Sequence, residues 1–146
     1  MFKELVSKWK SFKIKFERNV NIERVLNLTN KYNYVKFKEL IRIKDTDCYI
    51  IKKHDYLYFV VKKPNWNKYI GVHRYYYTSM AGGDFSHDTY CTIDDKLKFN
   101  LKYKENIPSD IINGLYDELI ENMDLIKEEL ERKINEEYYK EQQNDN

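Results

Sequence analysis

Thr89-Tyr-Cys-Thr-Ile-Asp-Asp-Lys-Leu-Lys-Phe-Asn-Leu-Lys-Tyr103 is the stretch that decides the fold. Over 96–103, Leu97, Phe99, Leu101 and Tyr103 alternate with Lys96, Lys98, Asn100 and Lys102. That is the period-two signature of a strand with one wet face. Residues 89–93 supply a partner strand, and Asp94-Asp95 is a turn pair. So short a connection permits only antiparallel pairing, because parallel neighbours need a crossover of a dozen residues or more.

Working outward, Tyr69–Tyr77 is a further, Tyr-rich strand, separated by Pro64 to Asn67 from a hairpin of 48–53 and 56–63 around Lys53-His54-Asp55. Leu57, Phe59 and Val61 should face inward there. From Tyr34, Val35, Phe37, Ile41 and Ile43 alternate with Lys36, Lys38, Leu40 and Arg42. Glu39 interrupts that apolar face, so a helix stays open as an alternative, and Asp45-Thr46-Asp47 is a turn.

Helical spacing bounds the sheet at both ends. Phe2, Leu5, Val6, Trp9 and Phe12 define a stripe, predicting a short helix over 2–12. Asn21 is a good N-cap for a second short helix through Ile22, Val25 and Leu26 to Asn30. Pro108-Ser109-Asp110 opens the strongest element, in which Ile112, Tyr116, Leu119, Met123, Ile126 and Leu130 step by four and three. The expected fold is one α+β domain over 1–140. It has an antiparallel sheet of five to six strands, two short N-terminal helices and a long C-terminal helix over 109–138, followed by a disordered polar tail, 141–146.

Composition bounds the function classes. A chain of 146 residues suits one domain, and 42% hydrophobic with 34% charged residues is globular rather than disordered. No apolar run approaches the ~20 residues that cross a bilayer. Cys48 and Cys91 are too few for a disulfide scaffold and lack zinc-site spacing, and MFKELVSKWK has no continuous apolar segment of a secretory signal. Free thiols and a cytoplasmic location follow as expectations. Lys outnumbers Arg by 21 to 5, Asn, Ile and Tyr occur 14 times each, and Ala once. That skew follows AT-rich codons and resembles small accessory genes of bacteria and phages.

Charge is lopsided although its net is +2: residues 1–77 carry 18 basic and 7 acidic side chains, residues 78–146 carry 8 and 17. Either the acidic C-terminal helix neutralises the basic half, or that half is a binding face. The 2–12 stripe with Lys3, Lys8 and Lys10 is assigned to the core, so no membrane partner is expected. The same pattern would also suit an anionic membrane surface. The 109–138 seam would suit a coiled-coil homodimer, or would cover the sheet.

Two features carry candidate chemistry. The segment Thr78–Thr89 holds Gly82 and Gly83 with Ser79, Asp84, Ser86, His87 and Asp88, and is expected to be a long pliable loop. His73 and His87 as acid and base, with Arg74 for a phosphate, would make a metal-independent phosphodiesterase or nuclease. Only His87-Asp88-Thr89 fits a two-histidine phosphoesterase motif. Asp84 with Asp94-Asp95-Lys96 has the order of a metal nuclease but is more simply a turn. Walker, GxGxxG, helix-turn-helix and zinc-finger signatures are absent, and no cofactor or metal is assigned.

The second feature is tyrosine. Alternation puts Tyr69, His73, Tyr75 and Tyr77 on one strand face. Beside Lys52, Lys53, Lys62, Lys63 and Lys68, those rings would stack on single-stranded nucleic acid or RNA without sequence preference, or anchor a protein. The resulting expectation is a non-catalytic binding module for a protein or nucleoprotein partner, in the concrete form of a small inhibitor or accessory protein of a mobile genetic element. The alternatives are the His/His/Arg enzyme and a nucleotide sensor that closes its glycine loop over the ligand.

Overall fold

In a computed structural model that describes residues 1–144, six strands run β1 (Ile41–Arg42), β2 (Cys48–Lys53), β3 (Tyr56–Val61), β4 (Tyr69–Thr78), β5 (Asp84–Ile93) and β6 (Phe99–Lys102). Each pairs antiparallel with the next, so the sheet is a plain meander that curls into a half-barrel. Local turn chemistry sets this order. His54 and Asp55 both take left-handed backbone, φ 52° and 69°, which gives the two-residue loop whose twist matches its flanking strands. Asp94 Oδ1 accepts from the N–H of Lys96 and of Lys98 at 2.9 and 2.8 Å, closing the β5–β6 turn.

Three helices lie on one face of the sheet: α1 (Phe2–Lys31), α2 (Ser109–Glu121) and α3 (Met123–Asn144). Val25, Leu26, Leu28, Leu115, Leu119, Ile126 and Leu130 pack there against Ile50, Leu57, Phe59, Val61 and Val72. Each such side chain contributes about 1.5–3 kcal/mol by leaving water. Leu57, Phe59 and Val61 do face inward. No helix among the described residues is long and apolar enough to cross a membrane.

Several expectations are corrected. The two short N-terminal helices are one helix of 30 residues. Lys13 to Val20 contains neither Gly nor Pro, so nothing stops the helix before Asn21, which is interior rather than a cap. Its 2–12 stripe is not core: Phe2, Leu5, Trp9 and Phe12 are all exposed. Only Ile41–Arg42 of the 34–43 segment pairs as strand. Over 96–103 the strand is Phe99–Lys102, because Leu97 takes φ 61° in the turn.

The long C-terminal helix is two, parted at Asn122. There the side-chain Nδ2 donates to Glu118 O at 2.9 Å, the same carbonyl that accepts the Asn122 backbone N–H. Asn commonly competes with the helical ladder in this way. The stripe survives the break, and Ile112, Tyr116, Leu119, Ile126 and Leu130 are buried in this chain's own core, covering the sheet. Residues 141–144 extend α3, and 145–146 lie outside the described residues.

Acidic and basic halves meet along α2 and α3. Arg18 pairs with Asp117 at 3.0 Å, Lys44 with Glu128 at 3.0 Å and Lys63 with Glu118 at 3.6 Å, while Glu137 accepts the Lys36 N–H at 2.8 Å. Neutralisation is thus local to these helices. It does not extend to Lys3, Lys8, Lys10 or Lys15, which have no carboxylate partner among the described residues.

Candidate functional site

Alternation along β4 and β5 gives the uncovered face of the sheet its residues. Register pairs His73 with Thr89, Tyr75 with His87 and Tyr77 with Phe85, so these side chains share one side. The rings form a chain: Tyr58–His73 at 5.9 Å, Tyr56–His73 at 4.8 Å, Tyr56–Tyr75 at 6.4 Å, Tyr75–His87 at 5.3 Å, Tyr75–Tyr77 at 6.1 Å and Tyr77–Phe85 at 5.6 Å. The inner end is dry, with Tyr58, Val60, Cys91 and Ile93 closed beneath Leu40, Tyr49, Tyr69 and Phe99 in the curl of the sheet. The outer end is wet. Tyr56 is 43% exposed, Tyr77 48% and Phe85 48%.

The connection expected to be a long loop is short. Strand β5 starts at Asp84, leaving Ser79–Gly83, in which Gly82 adopts φ 88° and its N–H donates to Ser79 O at 2.9 Å. Asp84 closes the hairpin by accepting from Thr78 Oγ1 at 3.0 Å. Gly82, Gly83 and Asp84 therefore build the turn that presents the rings. A cleft of about 500 Å³ opens beside His87 toward Leu101, Tyr103 and Lys104, and neither glycine lines it, so the turn is not placed to close over a ligand there.

His73, Arg74 and His87 do not converge. His73 is 2% exposed, and its Nδ1 lies 2.6 Å from Leu57 O, so that nitrogen carries the proton and donates to the carbonyl. Burial pushes its pKa below the ordinary imidazole value, so the ring is held neutral. Arg74, the next residue, leaves the opposite face of the strand. Its Nε and Nη2 clasp Asp88 at 2.7 and 3.1 Å, and Glu23 stands 2.8 Å from Nη1. Burial alone would lower the guanidinium pKa, but Asp88 and then Glu23 outweigh it and the net shift is upward. This arginine is occupied in the fold.

The other candidate residues divide. Lys52 donates to the backbone O of Asn33 and, at 3.3 Å, of Asp55, bracing the end of α1. Lys62 lies over the Tyr69 ring at 5.9 Å, and Lys63 pairs with Glu118. Lys53 and Lys68 are exposed. The lysines thus form no track beside the rings. Burial pushes the Cys48 thiol up to about 12 and raises Cys91 as well, and neither is a ready nucleophile. Among the described residues no cluster of three His, Cys, Asp or Glu could hold a metal ion.

Sequence reasoning missed Tyr56, Tyr58 and Phe85 as members of this face. Phe85-Ser-His87-Asp-Thr89 does alternate, and reading it as strand rather than loop would have paired Phe85 with Tyr77 across the turn. No known protein family, no curated protein and no solved structure matches the chain.

Proposed function

We propose that the protein is a non-catalytic binding module that engages a protein partner through the outer end of its aromatic face: Tyr56, Tyr75, Tyr77, Phe85 and His87. The observation that carries this reading is the projection of ring-stacked, half-exposed aromatics on a β-hairpin braced by its own register. Tyrosines and phenylalanines held in this way anchor interfaces at low entropic cost. The scattered engagement of the lysines favours a protein over a bare nucleic-acid strand, which needs cations along its phosphates. The opposed directions of His73 and Arg74 weigh against the His/His/Arg enzyme. The Lys-, Asn-, Ile- and Tyr-rich composition supports the concrete form, a small inhibitor or accessory protein of a mobile genetic element acting inside a cell.

The test is cross-linked capture from the native host, with wild type beside a Tyr75→Ser/Tyr77→Ser/Phe85→Ser variant. A partner retained by the first and lost by the second is the expected result. Cleavage of RNA, DNA or cyclic nucleotides that disappears in His87→Ala would overturn the proposal.

A further inference from the structure

Helix α1 has two apolar sides that point about half a turn apart. At 3.6 residues per turn, Ile22, Val25, Leu26, Leu28 and Thr29 lie on the side that meets the sheet and α2. Arg18, on that same side, donates to Asn113 O at 3.4 Å and Asp117 Oδ1 at 3.0 Å. In the first two-thirds of the helix, Phe2, Leu5, Val6, Trp9, Phe12, Phe16 and Val20 fall within an arc of about 120° on the other side. All seven are exposed, from 36% at Val6 to 79% at Phe2. A continuous helix cannot turn this stripe onto the domain that its C-terminal third meets, and nothing among the described residues covers it.

Charge identifies the cover. Lys3, Lys10 and a single acid, Glu17, border the stripe on one side, Lys8 and Lys15 on the other, with Ser7, Ser11, Ile14 and Arg18 on the far side. Lys13 falls within the arc, and its ammonium rises over the Trp9 ring at 5.6 Å. Lysines flanking an aromatic stripe on both edges are placed to keep their stems in apolar surroundings and their charges among anions. A second copy is disfavoured. With Phe2, Trp9 and Phe16 at one seam position and Leu5 and Phe12 at the other, a parallel pair sets Lys8 against Lys13, and an antiparallel pair sets Lys8 against Lys15.

We propose that residues 2–20 of α1 lie in the interface of an anionic phospholipid membrane, stripe down, and hold the domain above it. Trp and Phe enter the boundary between headgroups and acyl chains while the bordering lysines meet lipid phosphates. Past Val20 the same side of the helix carries Glu23, which pairs with Arg74, the half-buried Asn27, and Arg24 and Lys31, so the apolar stripe ends at Val20.

Flotation of the full chain with vesicles tests this. Vesicles of phosphatidylcholine with about 30% phosphatidylglycerol should carry the protein, pure phosphatidylcholine vesicles should carry far less, and added salt should release it. In a Trp66→Phe background, Trp9 fluorescence should shift to the blue on binding. Lys8→Gln and Lys15→Gln should each weaken binding about fivefold. Trp9→Ser with Phe12→Ser should abolish it with the melting temperature unchanged, since both side chains are exposed. No binding to the anionic vesicles, equal binding to both kinds, or a wild-type dimer that Phe12→Ser dissociates would each overturn the proposal.

Discussion

The two faces of the sheet solve one problem with different residues. On the helix side, aliphatic chains from three helices interlock with Ile50, Phe59, Val61 and Val72, all buried, and only the margins of the face, at Tyr76 and Lys102, reach water. On the other side no helix arrives. The sheet curls over Tyr58, Val60, Cys91 and Ile93, and aromatic rings carry that small core outward until it meets water at Tyr77 and Phe85. A covered face is built for stability, whereas a face that grades from dry to wet keeps apolar area for another molecule. Substitutions on each side should measure that difference.

The largest effect belongs to the covered side. Leu119→Ala empties a site with no exposure, and should cost about 2–5 kcal/mol in chemical denaturation. A loss below about 1 kcal/mol would show that the helix layer is looser than its burial implies. Next comes the curl itself. An added Cβ at Gly71 would stand 2.6 Å from Cys91 Sγ and 3.1 Å from a Val60 methyl. Gly71→Ala should therefore destabilise by about 1–3 kcal/mol through overpacking. The double variant Gly71→Ala/Cys91→Ala should recover part of that loss, because it removes the closer of the two clashes.

The covered face was legible in the sequence and the graded one only partly. Leu57, Phe59, Val61 and the 112–130 stripe follow single periods, and period is what a sequence displays. The errors lie where local pattern and tertiary contact disagree. The stripe of Phe2, Leu5, Trp9 and Phe12 has the form of a core helix, yet the half-turn offset against Val25 and Leu26 appears only when the helix is known to be continuous. His73 and Arg74 invite pairing as catalytic neighbours, but adjacent strand residues point apart. Helices α2 and α3 part at Asn122, whose side chain bonds Glu118 O, a contact that spacing does not reveal.

A smaller effect probes the dry end of the aromatic face. The neutral His73 ring is tied to Leu57 O, and burial lowers its pKa from the 6.5 of an exposed imidazole. Between the folded value and 6.5 the unfolded chain binds more protons than the folded one. The contribution is therefore full above pH 6.5 and is lost as pH falls through the folded value, with a slope of up to about 1.4 kcal/mol per pH unit. His73→Gln should flatten the stability curve in that window relative to wild type, even if it lowers stability at pH 8. Identical slopes for the two proteins would mean that the imidazole is not held dry.

The smallest effect falls at the wet end and separates the two ends most cleanly. Tyr77 touches Tyr75 and Phe85 but remains about half exposed, and a cross-strand aromatic pair contributes about 0.2–1 kcal/mol. Tyr77→Ser should cost no more than that in thermal or chemical denaturation. Tyr58→Ser, at 2% exposure and only one strand away from His73, should cost several-fold more. If the two variants lost equal stability, Tyr77 would be a core residue rather than part of a surface kept for a partner. A near-silent Tyr77→Ser leaves its ring with no structural role large enough to explain an aromatic at that exposed position, which is the condition a docking surface requires.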